Sequence, residues 1–122
     1  MSAVSDSNII LYKLRGELAE PLPQVGVLIS VITEIELLGF HGISVAEEAG
    51  IRAFIAGTTV VPLNERIKEE AIHLRKTLRL RLPDAIVLAT ASVTNSELLT
   101  NDRDLAAKAT IPCRSLSLKP RI

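Results

Sequence analysis

From Leu82 to Val93 the chain reads LPDAIVLATASV, a stretch in which Asp84 carries the only charge. Pro83 suits the first turn of a helix, where its missing N–H is no loss. A helix this apolar on every side has no face to give to water. It has to lie deep in the molecule, so the remaining residues must supply the layers that enclose it. Their pattern suits that role, since short apolar runs alternate with amphipathic stretches over short links. This is the signature of a parallel α/β sheet covered by helices.

Element by element, Ala3–Ser5 is expected as a short first strand and Asn8–Gly16 as the first helix, with EPLPQ (Glu20 to Gln24) breaking the pattern. VGVLIS (Val25 to Ser30) is expected as the second strand, running into a helix through TEIELLG. Thr33 as cap and Glu36 three residues on have capping-box spacing, and Gly39 and Gly42 close that helix. A third helix covers Ser44 to Ala56, with Val45, Ala49, Ala53 and Phe54 inward. TTVVPL (Thr58 to Leu63) is β-branched and reads as a buried strand. Asn64 caps the next helix, in which Ile67, Ala71, Leu74 and Leu78 recur at helical spacing. After the apolar helix come a strand at ELLT (Glu97 to Thr100), a short helix at DLAAKA and an edge strand at CRSLS (Cys113 to Ser117). The expected product is a single domain over residues 1–122, a three-layer α/β/α sandwich.

The 122 residues, 48% of them hydrophobic, suffice for a core without disulfide or structural metal. The core must be mostly aliphatic, because Tyr12, Phe40 and Phe54 are the only aromatics. Fourteen basic and fourteen acidic side chains balance, so net charge gives no pointer to a nucleic-acid partner. Cys113 is the single cysteine, which rules out an internal disulfide and fits a reducing compartment. MSAVSD lacks the basic start and apolar run of a signal peptide. No stretch approaches the roughly 18 apolar residues of a membrane helix, and the expectation is a cytoplasmic protein with no membrane partner.

The four aspartates are Asp6, Asp84, Asp102 and Asp104, each at an expected strand end or helix start. Singly, each has a plain reading as a helix cap or turn residue. Together they stand where open parallel sheets gather functional groups, outside the carboxyl ends of strands. Asp84 precedes the apolar helix, where a carboxylate is costly unless paired or metal-bound. Glu36, flanked by Ile35, Leu37 and Leu38, is expected on a poorly solvated face, whereas Glu34 reads as a solvated helix residue. Carboxylates held together repel, and an all-oxygen set selects Mg²⁺ or Mn²⁺. Zinc has no support, since His41, His73 and Cys113 form no ligand spacing. The sequence also lacks GxSxG, GxxxxGK[ST] and GxGxxG.

These segments resemble the PIN-domain family, specifically the VapC-type toxins of toxin–antitoxin pairs. DSNIILYKLRG is similar to the first motif, with Asp6 as its acid. ISVITEIELLGF is similar to the second and places the family's glutamate at Glu36. LRLRLPDAIVLATA is the most specific and carries Asp84, and LLTNDRDL resembles the last, with Asp102 as the fourth acid and Asp104 close by. One departure is Ser5, before Asp6, where an aliphatic strand residue is usual. The resemblance implies a PIN-like α/β/α sandwich with a central, mostly parallel sheet. It also implies a metal-dependent endoribonuclease, RNA as substrate, a homodimer and a cognate antitoxin protein.

On that basis Asp6, Glu36, Asp84 and Asp102 are expected to bind one or two Mg²⁺ or Mn²⁺ ions, chiefly as ligands; the alternative for one acid, Asp102 or Asp104, is to orient the attacking water instead. Asn8 either caps the first helix or supports the carboxylates. Arg75, Lys76, Arg79, Arg81 and Arg103 are the candidate phosphate contacts, with a solvated helix face as the plain alternative. Tyr12 is the one candidate for base stacking, or else packs at an interface. A competing class is a catalytically silent PIN-fold binding module. A phospho-accepting receiver ranks below it, because Asp6 has no acidic neighbour and Lys119 lies in a Pro-flanked tail.

Overall fold

A computed structural model describes residues 2–23 and 26–120. Val25 and Gln24, assigned above to the second strand and the break before it, lie outside the described residues. The strands are β1 (Ala3–Ser5), β2 (Val27–Ser30), β3 (Thr59–Val61), β4 (Glu97–Leu99) and β5 (Cys113–Arg114). They form one sheet in the order β3-β2-β1-β4-β5, parallel at every pairing. The helices are α1 (Ser7–Leu14), α2 (Val31–Leu38), α3 (Val45–Ala56), α4 (Glu65–Leu78), α5 (Leu82–Val93) and α6 (Arg103–Lys108).

Strand alternation sorts the core into two layers. Val4 and Leu98 point to the side of α4 and α5, with Ile67, Leu74 and Leu88. Ala3, Leu99 and Ile29 point to the other side, against Ile9 and Ile10 of α1, Leu37 of α2 and Ile51 of α3. The expected three-layer PIN-like sandwich with a parallel sheet is therefore present. The apolar helix α5 is buried continuously from Ala85 to Ala91. Asn64 caps α4 by accepting from the Ile67 N–H at 2.9 Å, as its side chain allows.

Four local expectations need correction. Helix α2 starts two residues before Thr33. Its cap is Ser30, the last residue of β2, whose hydroxyl accepts from the Ile32 N–H at 3.1 Å. Strand and helix abut with no linker, so Thr33 lies inside the helix, buried, and Glu36 is released from any capping box. The first cap is Asp6 rather than Asn8, and α1 begins one residue earlier than expected. In α3 the inward stripe is Ile51, Phe54 and Ile55, whereas Ala49 and Ala53 are exposed and Val45 is 90% exposed. Bulky side chains gain more from burial than alanines do, and they set the rotation of the helix. Strand β3 is half-buried because it is an outer strand, a consequence of strand order rather than of its β-branched composition.

Candidate functional site

In this strand order the chain turns one way from β1 to β2 and β3, and the other way from β3 to β4 and β5. The reversal lies between β1 and β4, and at such a switch point the loops beyond the strand ends part to leave a crevice. Asp6 immediately follows β1, and Asp102 lies three residues beyond β4. A cavity of about 240 Å³ opens there, lined by Asp6, Glu36, Asp84 and Asp102 together with Asn8 and Arg81. Four acids from four segments of the sequence thus share one cavity. Asp104 does not line it, and neither do Arg75, Lys76, Arg79 or Arg103, which are exposed.

Asp6 is held from several sides. Its backbone N–H donates to the Leu99 carbonyl at 3.1 Å, tying the end of β1 to β4. One carboxylate oxygen caps α1 by accepting from the Ile9 N–H at 3.0 Å, and the other accepts from the Thr100 hydroxyl. Burial, opposed by these two hydrogen bonds and reinforced by the charges of Asp102 and Asp84, holds the Asp6 carboxyl above its usual range. Ser5, the departure noted in the first motif, is fully buried in β1, and its hydroxyl donates to the Asp6 carbonyl at 3.0 Å.

Asp102 caps α6, one oxygen accepting from the Asp104 and Leu105 N–H groups at 3.0 and 3.1 Å. Its own N–H donates to Thr100 Oγ1 at 3.1 Å. Thr100, 2% exposed, therefore binds the residues of two acids through one hydroxyl. Sequence reasoning passed over it; the signal was its place, after the apolar LL of β4 and two residues before an acid.

Asp84 stands in the first turn of α5, where the helix dipole favours an anion. Arg81 Nε and Nη2 both donate to one of its oxygens, at 3.2 and 3.1 Å. Arg81 itself is 79% exposed along its side chain. Glu36 lines the cavity and is exposed, contrary to the poorly solvated face expected of it, whereas Glu34 is the more covered of the two. Even so, partial loss of water around the Glu36 carboxylate and the Asp84 and Asp6 charges raise its pKa, with Arg81 opposing.

The donors facing this cavity are carboxylate oxygens, with no His or Cys among the lining residues, a set that matches a hard divalent cation. Among the described residues, no three acids are already drawn into a cage. Asp84 turns to Arg81 and Asp102 to its own helix, as expected of like charges that repel. Tyr12 packs within the chain, against the cluster of Ala3, Ile9, Leu99 and Leu116. His41 and His73 are exposed. Among the described residues, no helix is long and apolar enough to cross a membrane.

Comparison with known proteins places this geometry in a family. A family model described as the PIN domain matches residues 3–111. A chain of a toxin–antitoxin complex from Klebsiella pneumoniae is 32% identical, with a TM-score of 0.72, over 85% of this chain and 90% of that one. Chains of two further structures share the fold. One is VapBC2 from Rickettsia felis bound to a DNA fragment from its promoter, with 15% identity and a TM-score of 0.79. It covers 94% of this chain and 98% of that one. The other is VapBC-1 from nontypeable Haemophilus influenzae, with 22% identity, a TM-score of 0.75 and the same coverage. No curated protein matches the sequence. With the family model spanning nearly all of the sheet and its helices, the chain belongs to the PIN-domain family.

Proposed function

We propose that this protein is a metal-dependent endoribonuclease, the VapC-type toxin of a toxin–antitoxin pair, acting in the cytoplasm. The observation that carries the reading is the convergence of Asp6, Glu36, Asp84 and Asp102 on one cavity at the switch point of a PIN-family sheet. In this reading those four residues hold Mg²⁺ or Mn²⁺. When bound, the cation supplies Lewis acidity, which acidifies a water and offsets charge building on the phosphodiester.

The protein's own part is placement. Thr100 and the Ile9 N–H fix the two oxygens of Asp6, so its carboxylate cannot rotate away. Asp102, which lines the cavity, commits one oxygen to the start of α6, and in this reading the other serves the cation. Its place in the lining supports Asp102 over Asp104 as the fourth acid, and leaves Asp104 at the surface. Arg81 is the basic side chain best placed to meet an RNA phosphate, since it lines the cavity and its guanidinium is exposed. Arg75, Lys76, Arg79 and Arg103 belong to a more distant electrostatic rim. A cognate antitoxin is part of the proposal, supported by the complex to which the 32% identical chain belongs. A homodimer is included on the strength of the family resemblance.

The test is digestion of total RNA with ends mapped by sequencing, for the wild type and Asp84→Asn, with Mg²⁺, with Mn²⁺ and with chelator. Discrete cuts that need the cation and vanish in the variant are expected. Intact RNA after incubation with folded, cation-loaded, antitoxin-free protein would overturn the reading in favour of a binding module.

A further inference from the structure

The residues from β5 onward lie beyond the part of the chain matched by the family model, which ends at 111. They nonetheless grip the turn that carries Asp102. The Thr100 N–H donates to the Arg114 carbonyl at 3.0 Å. The Asn101 side chain then closes a two-way clamp on Leu116: its amide nitrogen donates to the Leu116 carbonyl at 3.0 Å, and its oxygen accepts from the Leu116 N–H at 2.8 Å. Leu116 is 3% exposed and packs with Ala3, Ile9 and Leu99, beneath the helix that Asp6 caps.

The same tail is fastened at its far side to the loop that leaves α1. The Ala19 N–H donates to the Ser117 carbonyl and the Lys119 N–H to the Glu17 carbonyl, both at 2.8 Å, around an antiparallel bridge between Leu18 and Leu118. The Glu20 carboxylate accepts from the Ser117 N–H at 2.7 Å. Residues 116–119 therefore form a strap with one edge on the Asp102 turn and the other on the exit of the α1 that Asp6 begins.

We propose that Asn101 is a positioning residue: through its clamp on Leu116, this C-terminal strap sets the placement of Asp102 relative to Asp6 for cation binding. The inference rests on the nuclease reading above and adds to it a residue outside the four acids. Asn101 itself does not line the cavity. It acts through Thr100 and Asp102, its neighbours on either side, which are bonded to each other and, through Thr100, to Asp6. Supporting residues of this kind hold ligands in register, and their loss commonly weakens metal binding.

The experiment compares full-length wild type, Asn101→Ala, Glu20→Ala and the double variant. Mn²⁺ affinity is read by calorimetry, kcat and KM by RNA cleavage, and folding by thermal melting. Asn101→Ala should weaken Mn²⁺ about tenfold and lower kcat, with KM for RNA unchanged. Glu20→Ala, at a side chain outside the cavity, should weaken Mn²⁺ by a smaller factor. The double variant should be no weaker than Asn101→Ala, because both act through one strap. Wild-type Mn²⁺ affinity in folded Asn101→Ala would overturn the proposal, and so would losses that simply multiply in the double variant. If Asn101→Ala does not fold, Glu20→Ala decides alone, and an unchanged affinity there overturns it. A wild type that neither binds Mn²⁺ nor cuts RNA would instead overturn the nuclease reading, an outcome legible without any variant.

Discussion

The two ends of β1 and β4 solve the same problem with different chemistry. At their amino ends, Ser2 bonds to Ser96 hydroxyl to hydroxyl. Ser96 in turn bonds to Thr94 at 2.8 Å, and Thr94 donates to the Thr90 carbonyl at 2.7 Å. A hydroxyl both donates and accepts, so this chain passes from one hydroxyl to the next and ends on a carbonyl without charge. At the carboxyl ends stand Asp6 and Asp102, joined by Asp84 and Glu36. Ionised carboxylates only accept, and no arrangement among themselves can close. Thr100, backbone N–H groups and Arg81 cover part of the need; the charge crowding that helps hold Asp6 and Glu36 above their usual range remains. The amino end is satisfied as folded, whereas the carboxyl end keeps a surplus of negative charge that the proposed cation would offset.

The contrast is sharpened most by Asp84→Asn. It removes a proposed ligand and its charge while keeping the shape, and cleavage should fall about a thousandfold or more, the several kcal/mol that metal assistance supplies. Circular dichroism and melting should show an intact fold. Ser96→Ala at the other end should do the reverse. Losing the shared hydroxyl partner should cost about 1–2 kcal/mol in urea denaturation, with specific activity of the folded fraction unchanged.

A third expectation concerns pH in chelator. A carboxyl whose folded pKa is raised favours the fold most while protonated. The contribution from Asp6 and Glu36 is thus full below their ordinary values and is lost as pH rises through their raised ones. The melting temperature of the cation-free protein should therefore carry a falling component over that acidic window, one that Asp6→Asn diminishes. A wild type and variant with the same pH profile would show that neither the burial of Asp6 nor the crowding around it has an energetic consequence. The smallest effect is expected for Arg81→Gln: the ion pair with Asp84 is largely exposed, so stability should change by less than about 1 kcal/mol. A larger loss would mean that the carboxyl end balances its own charge, and the comparison between the two ends would fail.

Much of this organisation was legible in the sequence where local chemistry decides. Asn64 and Pro83 mark the starts of α4 and α5, and the buried run of α5 follows from its composition alone. The aspartates were visible as a set because each lies just beyond a strand or at a helix start, whereas Glu36, inside α2, stood out only by its apolar neighbours and the family resemblance. Long-range geometry was not visible. Strand order made β3 an outer strand, and the abutment of β2 on α2 gave the cap to Ser30 in place of Thr33. Thr100 reads as the last residue of a strand and Asn101 carries no signal of its own, because their partners Asp6 and Leu116 are distant in sequence. Of the five basic residues, Arg81 alone lines the cavity, a distinction that depends on where the turn between α4 and α5 points.

Helix α5 also governs the order in which the molecule can open. From Ala85 to Ala91 every residue is buried, with no face of the helix turned to solvent. Its amides cannot exchange with deuterium by fraying; the sheet must first part from α4. Exchange there should track global unfolding, the slowest class in the chain. Asp84 sits at the head of that run, so one acid of the cavity is mounted on the element expected to come apart last.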